Sequence, residues 1–278
     1  MIWRCRHRTI DLGRPIVMGI LNVTPDSFAD GGRHLHADRA VGRARQMAEE
    51  GAAIIDVGGE SSRPGAPPVG AAEEIERVIP VIERLAAELP VAISIDTVKP
   101  AVMTAALAAG ACIVNDINAL QADGALDAVA AAGAGVCLMH MRGEPRNMQE
   151  NPVYDDVVAE VGAFLVRRRA ACLAGGVAAE AIVFDPGIGF GKLPFHNLTL
   201  LRELPVLVGL GSPVLVGVSR KSLIGRVLGR PLAERVNGGL GLAALAVASG
   251  ARIIRTHDVA ATRDAIGMVS AVLQGMET

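Results

Sequence analysis

The chain has 278 residues, 51% of them apolar and only 3% aromatic, and 27 Lys and Arg face 29 Asp and Glu for a formal net charge of −2. That length is ample for a sizeable core, and closed barrels of this size are routinely single domains, so one domain over residues 1–278 is expected. A near-neutral balance without a dense basic tract argues against a nucleic-acid surface, and the longest uncharged runs fall short of the ~18 residues a membrane-spanning helix needs. The opening "MIWRCRHRTIDLGR" is basic but has no apolar h-region or small-residue cleavage site, so no signal peptide is read. The four cysteines, Cys5, Cys112, Cys137 and Cys172, are scattered with no C-x-x-C pair. Buried, reduced thiols in a cytoplasmic protein are expected.

Short apolar runs alternate along the chain with Ala-rich helical segments. The first dozen residues are expected to form a short hairpin across the bottom of the fold. Strands follow at Val17–Val23, Ala53–Val57, Val91–Ile95, Cys112–Val114, Val136–Met139, Ile182–Phe184, Val214–Val218 and Arg252–Ile254. Between them stand helical stretches such as "DRAVGRARQMAEEG", "GAAEEIERVIPVIERLAAE", "PAVMTAALAAG", "YDDVVAEVGAFLVRRRAACLAGG" and "ERVNGGLGLAALAVASG". Several end in Gly, as helix C-termini commonly do. Continuous rather than alternating apolar runs mark strands covered on both faces, hence a parallel sheet. The chain therefore reads as α/β, a single-domain (β/α)8 TIM barrel with a short N-terminal hairpin. An open dinucleotide-binding sheet would carry G-x-G-x-x-G after its first strand, and that turn is absent.

Active sites of this fold gather at the C-terminal ends of the strands. Those ends carry Asn22, Asp56 with the loop from Gly58 to Gly65, Asp96, Asn115 with Asp116, His140, Asp185, Ser219-Arg220-Lys221, and Arg255 with His257. A polar residue at nearly every end indicates an assembled site. Asp96, Asn115 and Asp185 form an acceptor-rich set suited to a ligand with ring N–H and amino groups. The plainer alternative for Asp185, in "FDPGIGFG", is a turn cap. Arg63, Lys221, Arg255 and His257 form a cationic set suited to a diphosphate or other dianion. Asn22 offers a neutral oxygen to Mg²⁺, which often takes one or two protein ligands and completes its shell with water and phosphate; otherwise it is a turn former.

Gly187, Gly189 and Gly191 in "GIGFGK" fit neither a Walker A loop nor a dinucleotide fingerprint. They read as backbone hugging a flat ligand, with Phe190 at its edge. His140 reads as a base or as a satisfied rim histidine, and Cys137 as core. In "VMGILNVTPDSFADGG" the first strand gives way to a polar loop bearing Phe28.

The segments "MGILNVTPDSFADGG", "IIDVGGESSRPG", "ISIDT", "IVNDI", "CLMHM", "DPGIGFGK", "VGVSRKS" and "IIRTHDV" together resemble the bacterial dihydropteroate synthase family, in order from about residue 15 to 272. The resemblance implies a (β/α)8 barrel, usually a homodimer. It also implies an enzyme of folate biosynthesis that joins 6-hydroxymethyl-7,8-dihydropterin diphosphate to p-aminobenzoate and releases pyrophosphate. On that resemblance Asp96, Asn115, Asp185 and Lys221 hold the pterin, Asn22 binds Mg²⁺, and Arg63, Arg255 and His257 bind the diphosphate. Ser62, Pro64, Phe190 and Ser222 line the p-aminobenzoate pocket, joined by Phe28 when the first loop closes. The family often has Thr where Ser62 stands, so a methyl contact is lost and the hydroxyl is kept. Asp56 and Glu60 match family positions in a supporting role.

The chemistry expected of Asp96, Asp185, Lys221 and Arg255 is Mg²⁺-assisted loss of diphosphate, with bond breaking ahead of attack by the aniline nitrogen. A pterin-binding methyltransferase barrel is the nearest rival, but it has no need of a diphosphate clamp. A catalytically silent pterin-binding relative would lack clamp residues, and a Schiff-base aldolase would need a lysine pKa that Arg220 beside Lys221 does not by itself supply.

Overall fold

The computed structural model describes residues 1–24, 33–61 and 65–275. Phe28, Ser62, Arg63 and Pro64 lie outside the described residues. The N-terminal hairpin is present: β1 (Ile2–Cys5) pairs antiparallel with β2 (Arg8–Asp11), Ile2 opposite Asp11 and Cys5 opposite Arg8. Period-2 alternation buries Trp3 and Cys5 while Ile2 and Arg4 stay exposed.

Eight strands follow: β3 (Ile16–Asn22), β4 (Ile54–Gly58), β5 (Ala92–Asp96), β6 (Ile113–Asp116), β7 (Gly135–Met139), β8 (Ile182–Asp185), β9 (Leu215–Gly217) and β10 (Ile253–Thr256). Their order is β8-β7-β6-β5-β4-β3-β10-β9, every pair parallel. A bridge from Phe184 to Val214 closes the ring, and the Phe184 N–H donates to the Pro213 carbonyl at 2.9 Å. Each expected strand is found with its ends moved by a residue or two. Pairing runs on into the polar residues Asp96, Asp116 and Asp185, which a search for apolar runs leaves out.

The ring of helices is α1 (Arg33–Glu49), α2 (Ala71–Glu88), α3 (Pro100–Ala108), α4 (Ala125–Ala132), α5 (Val157–Ala174), α6 (Pro194–Arg202), α7 (Leu204–Val208), α8 (Ser222–Leu228), α9 (Val236–Ala248) and α10 (Val259–Gln274). In α2 the buried positions Glu74, Val78, Val81, Ile82 and Leu85 recur at helical spacing and lie in the wall between helix and strands. Asp156 caps α5 by accepting the Val158 and Ala159 N–H groups, each at 3.0 Å.

Two separate cores position the site. The larger lies between strands and helices. The smaller fills the barrel bottom, where Met18, Ile54, Ala92, Ile113, Cys137, Val183, Leu215 and Ile253 meet Trp3, Cys5 and Leu12 of the N-terminal segment. Trp3 is wholly buried and its Nε1–H donates to the Ala181 carbonyl at 2.8 Å. The four cysteines are buried free thiols. Side chains alternate along a strand, so residues two places beyond each of these bottom residues share the inner face. That second layer is Ile20, Asp56, Ser94, Asn115, Met139, Asp185, Gly217 and Arg255. The floor of the mouth is thus polar because the sequence changes character two residues along most strands.

Candidate active site

Above this floor stand Asn22, Gly58, Asp96 and His257, a further two residues along β3, β4, β5 and the chain beyond β10. Asn22, Gly58, Asp96 and Asn115 are partners in one continuous rung across four strands. Asp116 has the opposite parity. It is fully buried on the helix side, where its carboxylate accepts the Asn118 N–H at 2.7 Å and the Leu120 N–H at 2.8 Å, so it shapes a turn.

Arg255 is the hub of the floor. Its Nε donates to Asp56 Oδ2 and its Nη2 to Asp96 Oδ2, both at 2.6 Å. The same Asp56 oxygen accepts from Asn115 Nδ2 at 3.0 Å. One guanidinium therefore serves two carboxylates, while Asp185 also stands within its field. Burial, opposed by Arg255 and reinforced by the Asp56 charge, pushes Asp96 up to about 7. Burial raises Asp185 as well, with Lys221 pulling the other way. Asp56, given only a supporting role on sequence grounds, is the wholly buried anchor that fixes both Arg255 and Asn115. Its inward parity is the signal that marks it. Arg255 accordingly sits among the carboxylates of the pterin set rather than apart from them.

Lys221 lies at the same end. Its Nζ donates to the Ile188 carbonyl and stands 4.8 Å from the centre of the Phe190 ring, a cation–π contact. Desolvation lowers its pKa to about 8, with Asp185 opposing and Arg255 adding to the fall. Gly189 leaves room for its side chain: a Cβ there would stand 3.2 Å from Lys221 Cδ. Ser222 follows as the exposed first residue of α8. At the end of β8, Asp185 Oδ1 accepts the Gly187 N–H at 2.7 Å, so this carboxylate does cap a turn and one of its oxygens is so engaged.

The glycines of "GIGFGK" correct the sequence reading. A Cβ on Gly187 (φ +66°) would fall 1.9 Å from the His140 carbonyl oxygen, and one on Gly191 (φ +60°) 2.2 Å from that of Arg142. These glycines admit the neighbouring loop of the chain itself, not a flat ligand. Lys192 is the pin between the two loops. Only 2% exposed, it donates through Nζ to the carbonyls of His140 (3.2 Å), Gly187 (3.0 Å) and Phe190 (3.0 Å), and meets His140 Nδ1 at 2.9 Å. Burial and the adjacent Lys192 charge drive His140 down to about 3, so the ring beside Lys192 is neutral. Of its two sequence readings, the satisfied rim histidine is the one the geometry fits. Gln149 donates to the Gly189 carbonyl and the Tyr154 hydroxyl to that of Gly191, each at 2.7 Å, completing a rigid platform beneath Phe190.

His257 and Ser219 meet across β9 and β10, with Ser219 Oγ 3.0 Å from His257 Nδ1. Asn22 is half-buried, its Oδ1 and the Asp96 side chain both lying within 4 Å of the point a Gly58 Cβ would take. Glu60 reaches Lys99, which also pairs with buried Glu74, and accepts the Val69 N–H at 3.1 Å. It thereby tethers the base of the β4–α2 connection. The described residues thus bring Asp96, Asn115, Asp185, Lys221, Arg255 and Phe190 to one end of the barrel, with Asn22, His257 and Ser222 at its rim.

Comparison with known proteins agrees with this geometry. The family model described as "Pterin binding enzyme" matches residues 18–257. The dihydropteroate synthase of Escherichia coli (strain K12) is 50% identical over 269 residues, covering 97% of this chain and 95% of that protein. The Xanthomonas albilineans dihydropteroate synthase solved with 4-aminobenzoic acid superposes with a TM-score of 0.93 at 50% identity, covering 98% of each chain. The structure of the Xanthomonas albilineans enzyme in complex with 7,8-dihydropteroate gives 0.90 at 48% identity over 99% of each chain. An inward carboxylate and amide floor, a half-buried arginine hub and likeness over nearly the whole length lead to one conclusion: the chain belongs to the pterin-binding enzyme family, and within it to the dihydropteroate synthases.

Proposed function

We propose that this chain joins 6-hydroxymethyl-7,8-dihydropterin diphosphate to p-aminobenzoate, giving 7,8-dihydropteroate and pyrophosphate. The observation that carries the reading is the floor itself, where Arg255 binds Asp56 and Asp96, Asp56 holds Asn115, and Lys221 stands over Phe190. The Xanthomonas albilineans relatives were solved with an aromatic acid and with the condensation product, which supports the same substrates here.

The residue roles follow from chemistry. Asp96, Asn115 and Asp185 accept from and donate to the N–H-rich edge of the pterin, and Lys221 holds its other side. Arg255, His257 and Arg63 meet the diphosphate. Asn22 suits Mg²⁺, being a neutral hard oxygen at the rim beside Asp96; the described residues include no cluster of three His, Cys, Asp or Glu able to hold a metal. An ion with one protein ligand and a phosphate-completed shell fits that donor set. When bound, Mg²⁺ supplies charge neutralisation at the departing diphosphate.

The exocyclic carbon–oxygen bond breaks ahead of attack. Burial raises the pKa of both Asp96 and Asp185, and a cationic pterin beside them would offset that desolvation. The aniline nitrogen then attacks that carbon and loses its proton as the new bond forms. Phe190, Ser222, Ser62 and Pro64 line its pocket, and Phe28 closes over it. The cations Lys221 and Arg255, with the His257 ring beside them, favour this reaction over methyl transfer.

The chain works as one pterin-binding domain, 1–278, because its N-terminal hairpin is part of the barrel core. It acts in the cytoplasm, where reduced thiols persist, and no helix among the described residues is long and apolar enough to cross a membrane. It pairs as a homodimer through the exposed apolar side chains of α8, α9 and α10. The deciding experiment incubates purified protein with Mg²⁺, the pterin diphosphate and p-aminobenzoate and follows both products. Equal formation of pyrophosphate and 7,8-dihydropteroate is expected; pyrophosphate alone would identify a hydrolase and overturn the proposal.

A further inference from the structure

Two short loops meet where β9 and β10 end. Ser219 Oγ accepts the backbone N–H of His257 at 3.2 Å and stands 3.0 Å from Nδ1 of the same residue. The rest of the His257 backbone is equally fixed. Its carbonyl accepts from Arg43 Nη2 at 3.0 Å, and the following N–H, of Asp258, donates to Thr256 Oγ1 at 3.1 Å. Arg220 (φ +56°) binds the Asp258 carboxylate with both Nε (3.1 Å) and Nη2 (2.5 Å), a fork that locks one loop to the other.

A hydroxyl carries one hydrogen, and a backbone amide can only donate. Ser219 therefore accepts the His257 amide, and among the described residues its hydroxyl has no acceptor other than Nδ1. With Nδ1 receiving that hydrogen, a neutral imidazole carries its own on Nε2. The opposite tautomer would present a bare nitrogen lone pair at Nε2, which repels an anionic oxygen.

We propose that Ser219 is a positioning residue for His257, its hydroxyl selecting the Nε2–H tautomer so that a neutral His257 donates a hydrogen bond to the leaving diphosphate. The inference rests on the diphosphate role of His257. Ser219 itself need not touch the ligand.

The test joins a spectrum to a binding cycle. Protein labelled with ¹⁵N in histidine is examined by long-range proton–nitrogen correlation at pH about 8.5, where an imidazole of ordinary pKa near 6.5 is neutral. The His257 ring should show protonated Nε2 and bare Nδ1 in the parent and in Ser219→Thr, and lose that preference in Ser219→Ala. A proton on Nδ1 in the parent would overturn the proposal. Pyrophosphate affinity should fall about tenfold in Ser219→Ala, the scale of one hydrogen bond to a charged group, and recover in Ser219→Thr. In a His257→Ala background the Ser219→Ala change should cost nothing further. An equal loss in both backgrounds would mean that Ser219 contacts the anion directly, and would overturn the positioning role. Undiminished pyrophosphate affinity in His257→Ala alone would sink the diphosphate reading, while the ring spectrum would still decide the Ser219 contact.

Discussion

Arg255 Nε and Asp56 Oδ2 meet at 2.6 Å across the barrel floor, and the same carboxylate oxygen holds Asn115 Nδ2 at 3.0 Å. Asp56 is fully buried, and both of these donors fall on one of its two carboxylate oxygens. Asp56→Ala leaves both donors unpaired and should cost about 3–5 kcal/mol of stability, the usual consequence of breaking a buried pair. Asp56→Asn retains one acceptor and should cost about 2 kcal/mol, while weakening pterin binding because Arg255 and Asn115 lose their alignment. Urea unfolding and titration with a pterin lacking phosphates read the two effects. Normal pterin affinity in Asp56→Asn would show that Asp96 alone holds Arg255.

Asp96 gives the site a pH dependence with a definite sign. Burial raises its pKa from 3.8 to about 7, so between those values the folded protein keeps a proton the unfolded chain has released. The stability contributed by Asp96 is therefore present at low pH and is lost as pH rises from about 4 to 7. His140 works in the opposite direction, since its folded pKa of about 3 makes stability rise with pH up to the ordinary histidine value of 6.5. A difference measurement isolates Asp96. The stability of Asp96→Asn relative to the parent should climb as pH rises from 4 to 7, and a flat difference would show that the carboxyl titrates normally.

Most of the barrel and half of the site are legible in the sequence, for a reason that also marks where legibility stops. Parity along a strand is local, so Asn115 inward and Asp116 outward follow from one another once β6 is located. What lies against a loop is not local. Lys192 looks like a surface lysine after glycine until His140, 52 residues earlier, supplies its partner. Gly187 and Gly191 look like ligand-hugging glycines until the carbonyls of His140 and Arg142 occupy their open sides. Ser219 and His257 likewise become a pair only when β9 and β10 are laid side by side.

The glycine correction can be measured directly. Gly187→Ala meets both a left-handed backbone and the His140 carbonyl, 1.9 Å from the new Cβ. Gly176→Ala meets a similar backbone (φ +89°) with nothing within 4 Å. Backbone strain alone costs about 1–2 kcal/mol, and a forced backbone shift adds about 1–3 kcal/mol more. Gly187→Ala should therefore lose roughly twice as much stability as Gly176→Ala in urea unfolding, and should also weaken p-aminobenzoate binding by displacing Phe190. Equal losses would mean that the two loops move apart freely.

The proposed homodimer would use α10, where Met268 and Val272, one turn apart, are 68% and 79% exposed. Leu245 of α9 and Val227, Leu228 and Leu232 at the end of α8 and just beyond it add to the exposed apolar surface of these consecutive helices. Exposed apolar patches of this kind mark association surfaces. Introducing Met268→Glu with Val272→Glu should convert the dimer to monomer in light scattering while leaving the far-ultraviolet circular dichroism unchanged. A dimer that persists would place the interface on another face.

Trp3 offers a test at the opposite end of the molecule. As the only tryptophan, wholly buried beneath the strands, its emission reports the barrel bottom without interference. Trp3→Phe keeps an aromatic ring but leaves the Ala181 carbonyl without its 2.8 Å donor, which should cost about 1–2 kcal/mol. Trp3→Ala also opens a cavity among Met18, Ile113, Cys137 and their neighbours and should cost about 3–5 kcal/mol. Because Trp3 lies beneath this bottom layer and the site stands in the layers above it, kcat measured well below the melting temperature should change less than about twofold in Trp3→Phe. A large fall in kcat with folding intact would show that the hairpin does more than plug the barrel, and would tie the bottom of the sheet to the placement of Arg255 and Asp185 at its top.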